Sequence, residues 1–339
     1  MVDLLKELTE AAGVSGNENE VRDIILRLAQ PLSDKTYVDR MGNVIAVKKG
    51  TGSGKKLMVA AHMDEVGFII SGIGDNGMLK FRPVGGIDQR VLVSKRVLIG
   101  PDRIPGVIGV KAIHLQEPQE RNTVIKQRQM YIDIGASSKE EASRLVKLGD
   151  YAIFDSSFLI FGQDKVKAKA LDDRVGCSII LDLLKDRYDF DLYACFTVQE
   201  EVGLRGAGVA AYHIEPDMGL VIEGTTAADI PDVPDHLKTT KLGKGPAISF
   251  MDYSSVANKD LFKQMVRTAE ENKIPYQLKE NVSGGNDAGR IQQSRAGVPT
   301  IAISVPCRYI HSPSCVMDLN DYKNTLLLAQ KFLKGCEVR

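Results

Sequence analysis

The sequence predicts an α/β protein: a mostly parallel sheet with helices on both faces, interrupted by a small inserted β-barrel-like domain. Three observations carry this prediction. From residue 166 onward, apolar β-forming runs alternate with helix-period segments, as in a parallel sheet covered by helices. Two early β-rich runs, NVIAVKKG and KLMVAAHM, fit the same sheet, so both ends of the chain build it. Between them the texture changes to short β-forming runs with frequent glycines, the pattern of a small barrel or sandwich. The predicted division is 1–67 with 166–339 as one catalytic domain, and 68–165 as the insertion.

The elements follow in order. Apolar spacing predicts helices over 3–12 and 18–29, the second through Val21, Ile24, Ile25 and Leu28. The Gly/Ser turn GTGSG separates the two early strands. In the insertion, GFIISGIG, VIGVKAIHL and GDYAIFDSSFLIFG read as strands, with one helix over 138–148. Then come helix 173–184, strand DLYACFTVQE, helix GLRGAGVAAYH, strand MGLVIEG and the short strand AISF. Helix 258–271, helix DAGRIQQSRAG, strand VPTIAISVP and helix 318–334 complete the pattern.

Composition narrows the function classes. Lys plus Arg is 44 and Asp plus Glu is 44, so no net field draws in nucleic acid or an anionic membrane. No uncharged apolar run approaches the roughly 20 residues of a membrane helix. The start MVDLLKELTEAAGVSG lacks the basic and apolar regions of a signal peptide. Five cysteines without CxxC spacing imply neither a disulfide framework nor a thiolate zinc site. The expectation is a cytoplasmic protein without nucleic-acid or membrane partners, and near-zero charge favours self-association.

Ligands of open α/β sheets bind outside the carboxyl ends of the strands. At those ends stand His62 and Asp64, Glu200 and Glu201, Glu223, and His311 beyond VPTIAISVP. Asp172 and Asp173 precede a helix. Singly, each has a structural reading: a hydrogen-bonded histidine, an Asp-Asp helix cap, a solvated Glu pair, a turn, and Asp287 of GGND as a cap. His114, His213 and His236 keep that reading, and Glu65 faces away without a catalytic role. Together, lone carboxylates buried at one edge would cost several kcal/mol each, on the order of magnitude. A divalent cation removes that cost. Imidazoles with carboxylates suit Zn²⁺, Co²⁺ or Mn²⁺, and the set suffices for two ions sharing one carboxylate. A free carboxylate could then take a proton from the water they acidify.

AAHMDEVGF, KALDDRVGC, QEEVGLRGA, VIEGTTAADIP, GGNDAGR and RYIHSP together resemble the tetrahedral metalloaminopeptidase family, with motifs spread over almost the whole chain. That family includes glutamyl and deblocking aminopeptidases and proteins labelled cellulase M, which this chain resembles most. The resemblance implies a dimetal aminopeptidase fold and two divalent ions per subunit, zinc or cobalt ahead of manganese. It implies that His62 and Glu223 serve one ion, Glu201 and His311 the other, and that Asp172 bridges them. Glu200 is then the general base, and a hydroxide between the ions attacks the first peptide carbonyl. Asp64, two residues from His62, orients the imidazole. A cis peptide joins Asp172 to Asp173. The insertion becomes a dimerisation domain, and dimers build a hollow dodecamer that admits short peptides.

Two positions depart from the family pattern. Glu223 stands where many members have Asp, which keeps a metal-dependent deacylase in view. Asn286 replaces the Thr of a Gly-Gly-Thr-Asp loop. The cellulase label raises an endoglucanase, whose chemistry needs two metal-independent carboxyl groups and usually aromatic platforms. The chain has no Trp and 6% aromatics, which counts against it. Glu200 counts against a non-catalytic assembly protein, because binding alone needs no base.

Overall fold

Two apolar patterns, continuous runs and alternating ones, end up in two different sheets of the computed structural model, which describes residues 2–52 and 54–336. Helices α1 (Val2–Glu10) and α2 (Asn19–Ala29) lead into strands β1 (Lys35–Val38), β2 (Val44–Lys48) and β3 (Lys56–His62). Six strands follow: β4 (Gly67–Ile73), β5 (Leu79–Val84), β6 (Arg96–Ile99), β7 (Ile104–Gly109), β8 (Tyr131–Asp133) and β9 (Tyr151–Phe154). Short helices α3 (Pro118–Arg121) and α4 (Lys139–Leu145) lie among them. The chain returns through β10 (Leu159–Phe161), β11 (Lys165–Ala168), α5 (Leu171–Leu183), β12 (Asp191–Thr197), α6 (Arg205–Ile214) and β13 (Met218–Thr226). It ends with β14 (Ala247–Ser249), α7 (Lys259–Glu271), β15 (Gln277–Leu278), α8 (Ala288–Gln292), β16 (Thr300–Arg308), β17 (Cys315–Asp318) and α9 (Leu319–Lys334).

The large sheet has the order β1-β2-β12-β3-β13-β16-β17-β11-β10, with β14 and β15 branching from β16. Its centre, β12, β3, β13 and β16, is parallel, and antiparallel pairs flank it on both sides. Every residue of β3 after Lys56 is buried, because helices cover both faces of a parallel sheet. That is why this strand is a continuous apolar run rather than an alternating one. Helices α1, α2, α5, α7 and α9 share one core cluster, and α6 and α8 share the other.

Register places the polar strand ends together. Thr197 of β12 pairs with His62 of β3, and Val221 of β13 pairs with Ala60. Glu223, two residues on, therefore reaches the level of His62 and points to the same face as Val221.

The six strands after β3 close into a barrel, β4-β5-β8-β7-β6-β9. Phe68 anchors its core, edge-on to Phe81 and Phe154 at centroid distances of 5.2 and 5.1 Å. Gly67 opens the first barrel strand where the chain passes close to Val14 and to Ala152 of β9. A Cβ there would lie 2.4 Å from the Val14 side chain and 2.8 Å from the Ala152 carbonyl oxygen, so no other residue fits without displacement.

Some expectations change. The run FDSSFLIFG was read as barrel, but β10 pairs with β11 in the large sheet. The helix expected over DAGRIQQSRAG is the short α8 alone, ended before Gly297 and Pro299. β1 and β17 were not foreseen; β17 forms only by antiparallel pairing with β11 and β16.

Candidate metal centre

The peptide bond between Asp172 and Asp173 is cis, and both residues have non-helical backbone at the start of α5. The two aspartates divide the work. Asp173 accepts the backbone N–H of His62 at 3.1 Å and that of Gly176 at 3.0 Å, the capping expected of an Asp-Asp pair. Asp172 turns out toward the strand ends. There Oδ1 lies 3.3 Å from His62 Nε2 and Oδ2 lies 3.4 Å from His311 Nε2. Gly224 permits this approach, since a Cβ there would sit 3.0 Å from Asp172 Cα, Cβ and Oδ1.

His62 Nε2 also faces Glu223 Oε2 at 3.5 Å and Glu200 Oε2 at 3.9 Å. His311 Nε2 faces Glu201 Oε1 at 3.3 Å. Each imidazole uses its other nitrogen on a backbone carbonyl: His62 Nδ1 on Asp64 at 3.1 Å, His311 Nδ1 on Gly86 at 2.8 Å. A carbonyl only accepts, so each Nδ1 carries the hydrogen and each neutral ring turns its Nε2 lone pair toward carboxylate oxygens. A proton or a metal cation between nitrogen and oxygen satisfies this arrangement.

The titration of the cluster has the same cause. Burial raises the carboxyl groups of Glu200, Glu223 and Asp173 well above their usual value, reinforced in each case by the charge of Asp172. Burial and Asp172 lift Glu201 to about 7, against the pull of His311. Burial opposes the imidazolium of His62 and of His311, yet the surrounding carboxylates outweigh it. They raise His62 well above its usual value and His311 to about 10. Burial also disfavours the charged form of Asp172, but the two imidazoles pull it far below the usual range. Glu223 Oε1 is buried without a hydrogen-bond partner. Ligand atoms of His62, Asp172 and Glu201 lie within 4.8 Å of one another, as do those of His62, Asp173 and Glu223. An imidazole and carboxylate donor set of this kind fits zinc, cobalt or manganese.

Asp64 keeps its carboxylate beside the His62 imidazole and takes on a second task. β3 ends at His62, so Asp64 lies beyond the strand, and its backbone carbonyl is nearer the imidazole than its carboxylate, which is 3.4 Å away. The carboxylate also accepts Ser15 Oγ at 2.6 Å and the backbone N–H groups of Glu200 and Glu201 at 3.0 and 3.1 Å. It holds the Glu pair in place, so those side chains are not solvated but 11% and 5% exposed.

Other residues were missed or misread. Glu65 is buried and accepts Lys169 Nζ at 2.8 and 2.9 Å and Arg174 at 3.4 Å. This ties the loop carrying Asp172 to the segment after β3. Asp287 does not cap α8; its carboxylate takes the Thr197 hydroxyl, leaves Oδ1 unpartnered and is pushed to about 6 by burial. Asn286 spends its amide on Asp252 and the Ala288 N–H. His114, His213 and His236 are exposed and join no site. All five cysteines are buried. No helix among the described residues is long and apolar enough to cross a membrane.

Asp172, Glu200, Glu201, Glu223 and His311 line a cavity of about 390 Å³. A larger one, about 580 Å³, opens at the opposite edge beside Met218 and Gly335. It contains no imidazole, so size does not locate the chemistry.

A parallel-centred sheet with two imidazoles and a carboxylate cluster at its carboxyl edge defines a metal-dependent hydrolase. The M42 glutamyl aminopeptidase family profile matches residues 42–328, and the chain belongs to that family of metalloaminopeptidases. An aminopeptidase from Desulfurococcus kamchatkensis superposes with TM-score 0.95 at 40% identity, covering 99% of this chain and 94% of that one. The TET1 peptidase of Pyrococcus horikoshii, described as assembling into a tetrahedron or an octahedral shell, gives 0.87 at 36%, covering 99% of each. A Thermotoga maritima structure titled endoglucanase gives 0.81 at 40%, covering 97% and 96%. The lysyl aminopeptidase of Pyrococcus furiosus is 34% identical over 98% of this chain and 97% of its own.

Proposed function

We propose that this aminopeptidase removes single residues from the amino ends of short peptides, with His62, Asp172, Glu201, Glu223 and His311 holding two divalent cations, zinc or cobalt. The observation that carries this reading is the shared tautomer: both imidazoles donate Nδ1–H to backbone carbonyls and aim Nε2 at carboxylates. When bound, the cations supply Lewis acidity to the scissile carbonyl and make a water acidic near neutral pH.

The chain's own groups do the rest. Asp172 presents one oxygen to each half of the site. Glu200 lines the cavity and is the one carboxylate of the Glu pair not facing His311, so it is available to accept the water's proton and return it to the departing amine. Asp64 fixes the backbone of Glu200 and Glu201. The family description and the Pyrococcus relative name opposite charges, glutamyl and lysyl, so names do not set the first-residue preference.

A homo-oligomer follows from the same reading, with the barrel as the dimerisation domain in a cytoplasmic enzyme. Ile113, Leu115, Val124 and Leu148 on the insertion are 57–69% exposed, the kind of apolar surface that self-association covers.

The test uses aminoacyl-p-nitroanilides, their N-acetylated forms and carboxymethylcellulose, each with and without chelator. Cleavage of the free-amine substrates alone, abolished by chelator, is expected. Preferential cleavage of acetylated substrates would favour a deacylase, and chelator-resistant cellulose cleavage a glycosidase.

A further inference from the structure

The loop that follows β12 and carries Glu200 and Glu201 is tied down by side chains from the part of the chain ahead of the barrel. Val198 N–H donates to Asn43 Oδ1 at 3.0 Å and Gln199 N–H to Glu18 Oε1 at 3.3 Å. Glu200 and Glu201 N–H go to the two oxygens of Asp64 at 3.0 and 3.1 Å. The carbonyls are used within the loop: those of Val198, Gln199 and Glu200 accept from Gly206, Arg205 and both Gly203 and Leu204. Asn43 also donates to the Gly206 carbonyl at 3.0 Å, so it closes both ends of the loop. Asp64 serves Glu200 and Glu201 alike. Glu18 addresses the residue directly before Glu200.

That residue is the strained one. Gln199 has φ 57°, left-handed backbone that disfavours a residue with a side chain, and a hydrogen bond ending on its N–H holds it there. Glu18 precedes α2 and is 5% exposed, where a carboxylate is costly unless its oxygens are used. Oε1 takes the Gly16 N–H at 2.7 Å together with that of Gln199. The segment bearing Glu18 is itself anchored behind the site. Val14 bridges Glu65, Glu65 N–H donates to the Gly13 carbonyl at 2.9 Å, and Ser15 gives its hydroxyl to Asp64 at 2.6 Å. We propose that Glu18 is a positioning residue for the general base: through the Gln199 backbone it sets where the Glu200 carboxylate stands in the cavity. This rests on the role given to Glu200 in the aminopeptidase reading and adds the group that aims it. The role depends on where an oxygen sits rather than on a charge. Glutamine keeps that oxygen in place, whereas aspartate keeps the charge and draws it back by one methylene.

The experiment measures aminoacyl-p-nitroanilide hydrolysis and bound cation in metal-loaded wild type, Glu18→Gln, Glu18→Asp, Glu200→Gln and the double variant of Glu18→Asp with Glu200→Gln. Glu18→Asp should lower kcat about 10–100-fold, the scale for displacing a catalytic group, with KM and cation content within about two-fold. Glu18→Gln should keep kcat within about three-fold of wild type. In the Glu200→Gln background Glu18→Asp should cost nothing further, because groups that act as one unit are not additive. A purely structural Glu18 would lower the melting temperature and leave the kcat of folded Glu18→Asp unchanged, which overturns the proposal. It is also overturned by an equal loss in Glu18→Gln and Glu18→Asp, by cation loss that tracks activity, and by a full loss that persists in the Glu200→Gln background. Wild-type activity in Glu200→Gln, or no hydrolysis of any aminoacyl-p-nitroanilide by metal-loaded wild type, defeats the reading beneath this inference and the inference with it.

Discussion

Asp172 and His62 meet oxygen to nitrogen, Oδ1 to Nε2 at 3.3 Å, while the second oxygen of Asp172 stands 3.4 Å from His311. One carboxylate so divided between two imidazoles is the hinge of the site. Asp172→Asn should lower peptide hydrolysis by about three orders of magnitude, the scale for removing a central catalytic group. Cation content after gel filtration should fall with it. The chelated variant should melt no lower than chelated wild type, because the substitution removes one charge from a crowded carboxylate cluster.

Glu200 has a different signature. Glu200→Gln should lower kcat by about 10²–10⁴, as for loss of a general base, while cation binding measured by calorimetry stays within a few-fold. Loss of cations together with activity would make Glu200 a ligand instead.

Asp64 touches no cation in this account. It accepts Ser15, Glu200 and Glu201 through both oxygens. Asp64→Asn keeps the volume but turns one acceptor into a donor. Cation affinity should weaken by about 10–100-fold, the cost of losing support behind a ligand. A competition titration against a chromophoric chelator reads this directly.

Asp229 offers a pH test away from the cluster. Burial raises its carboxyl, but Arg308 Nε and an Arg308 terminal nitrogen, both at 2.7 Å, pull it below the usual value. A depressed folded pKa contributes stability above the unfolded value of about 3.9 and loses it as pH falls through the folded one. Asp229→Asn should therefore be less stable than wild type by about 1 kcal/mol at pH 7, as for a partly exposed bidentate pair. Denaturant midpoints should converge toward pH 2.

Most of the gathering at this site was legible because parallel strands end abruptly: an apolar run stops and a His or Glu follows. His62, Glu200, Glu201 and Glu223 announce themselves that way. The parallel centre of the sheet was legible from the same runs. Glu65 was not, since its partners Lys169 and Arg174 lie 104 and 109 residues away across the barrel. No local period encodes such a pairing. Asp287 looked like a cap because Asp before a helix usually is one; here Thr197, 90 residues distant, takes the carboxylate instead. Strand β10 sits beside barrel sequence and shares its composition, so only pairing with β11 separates it.

The most direct test titrates chelator-stripped protein with Co²⁺ while following both bound metal and Leu-p-nitroanilide hydrolysis. The account predicts an inactive stripped protein whose activity rises to its plateau as two ions bind per chain. Hydrolysis by the stripped protein, or a plateau reached with one ion or none bound, would contradict it.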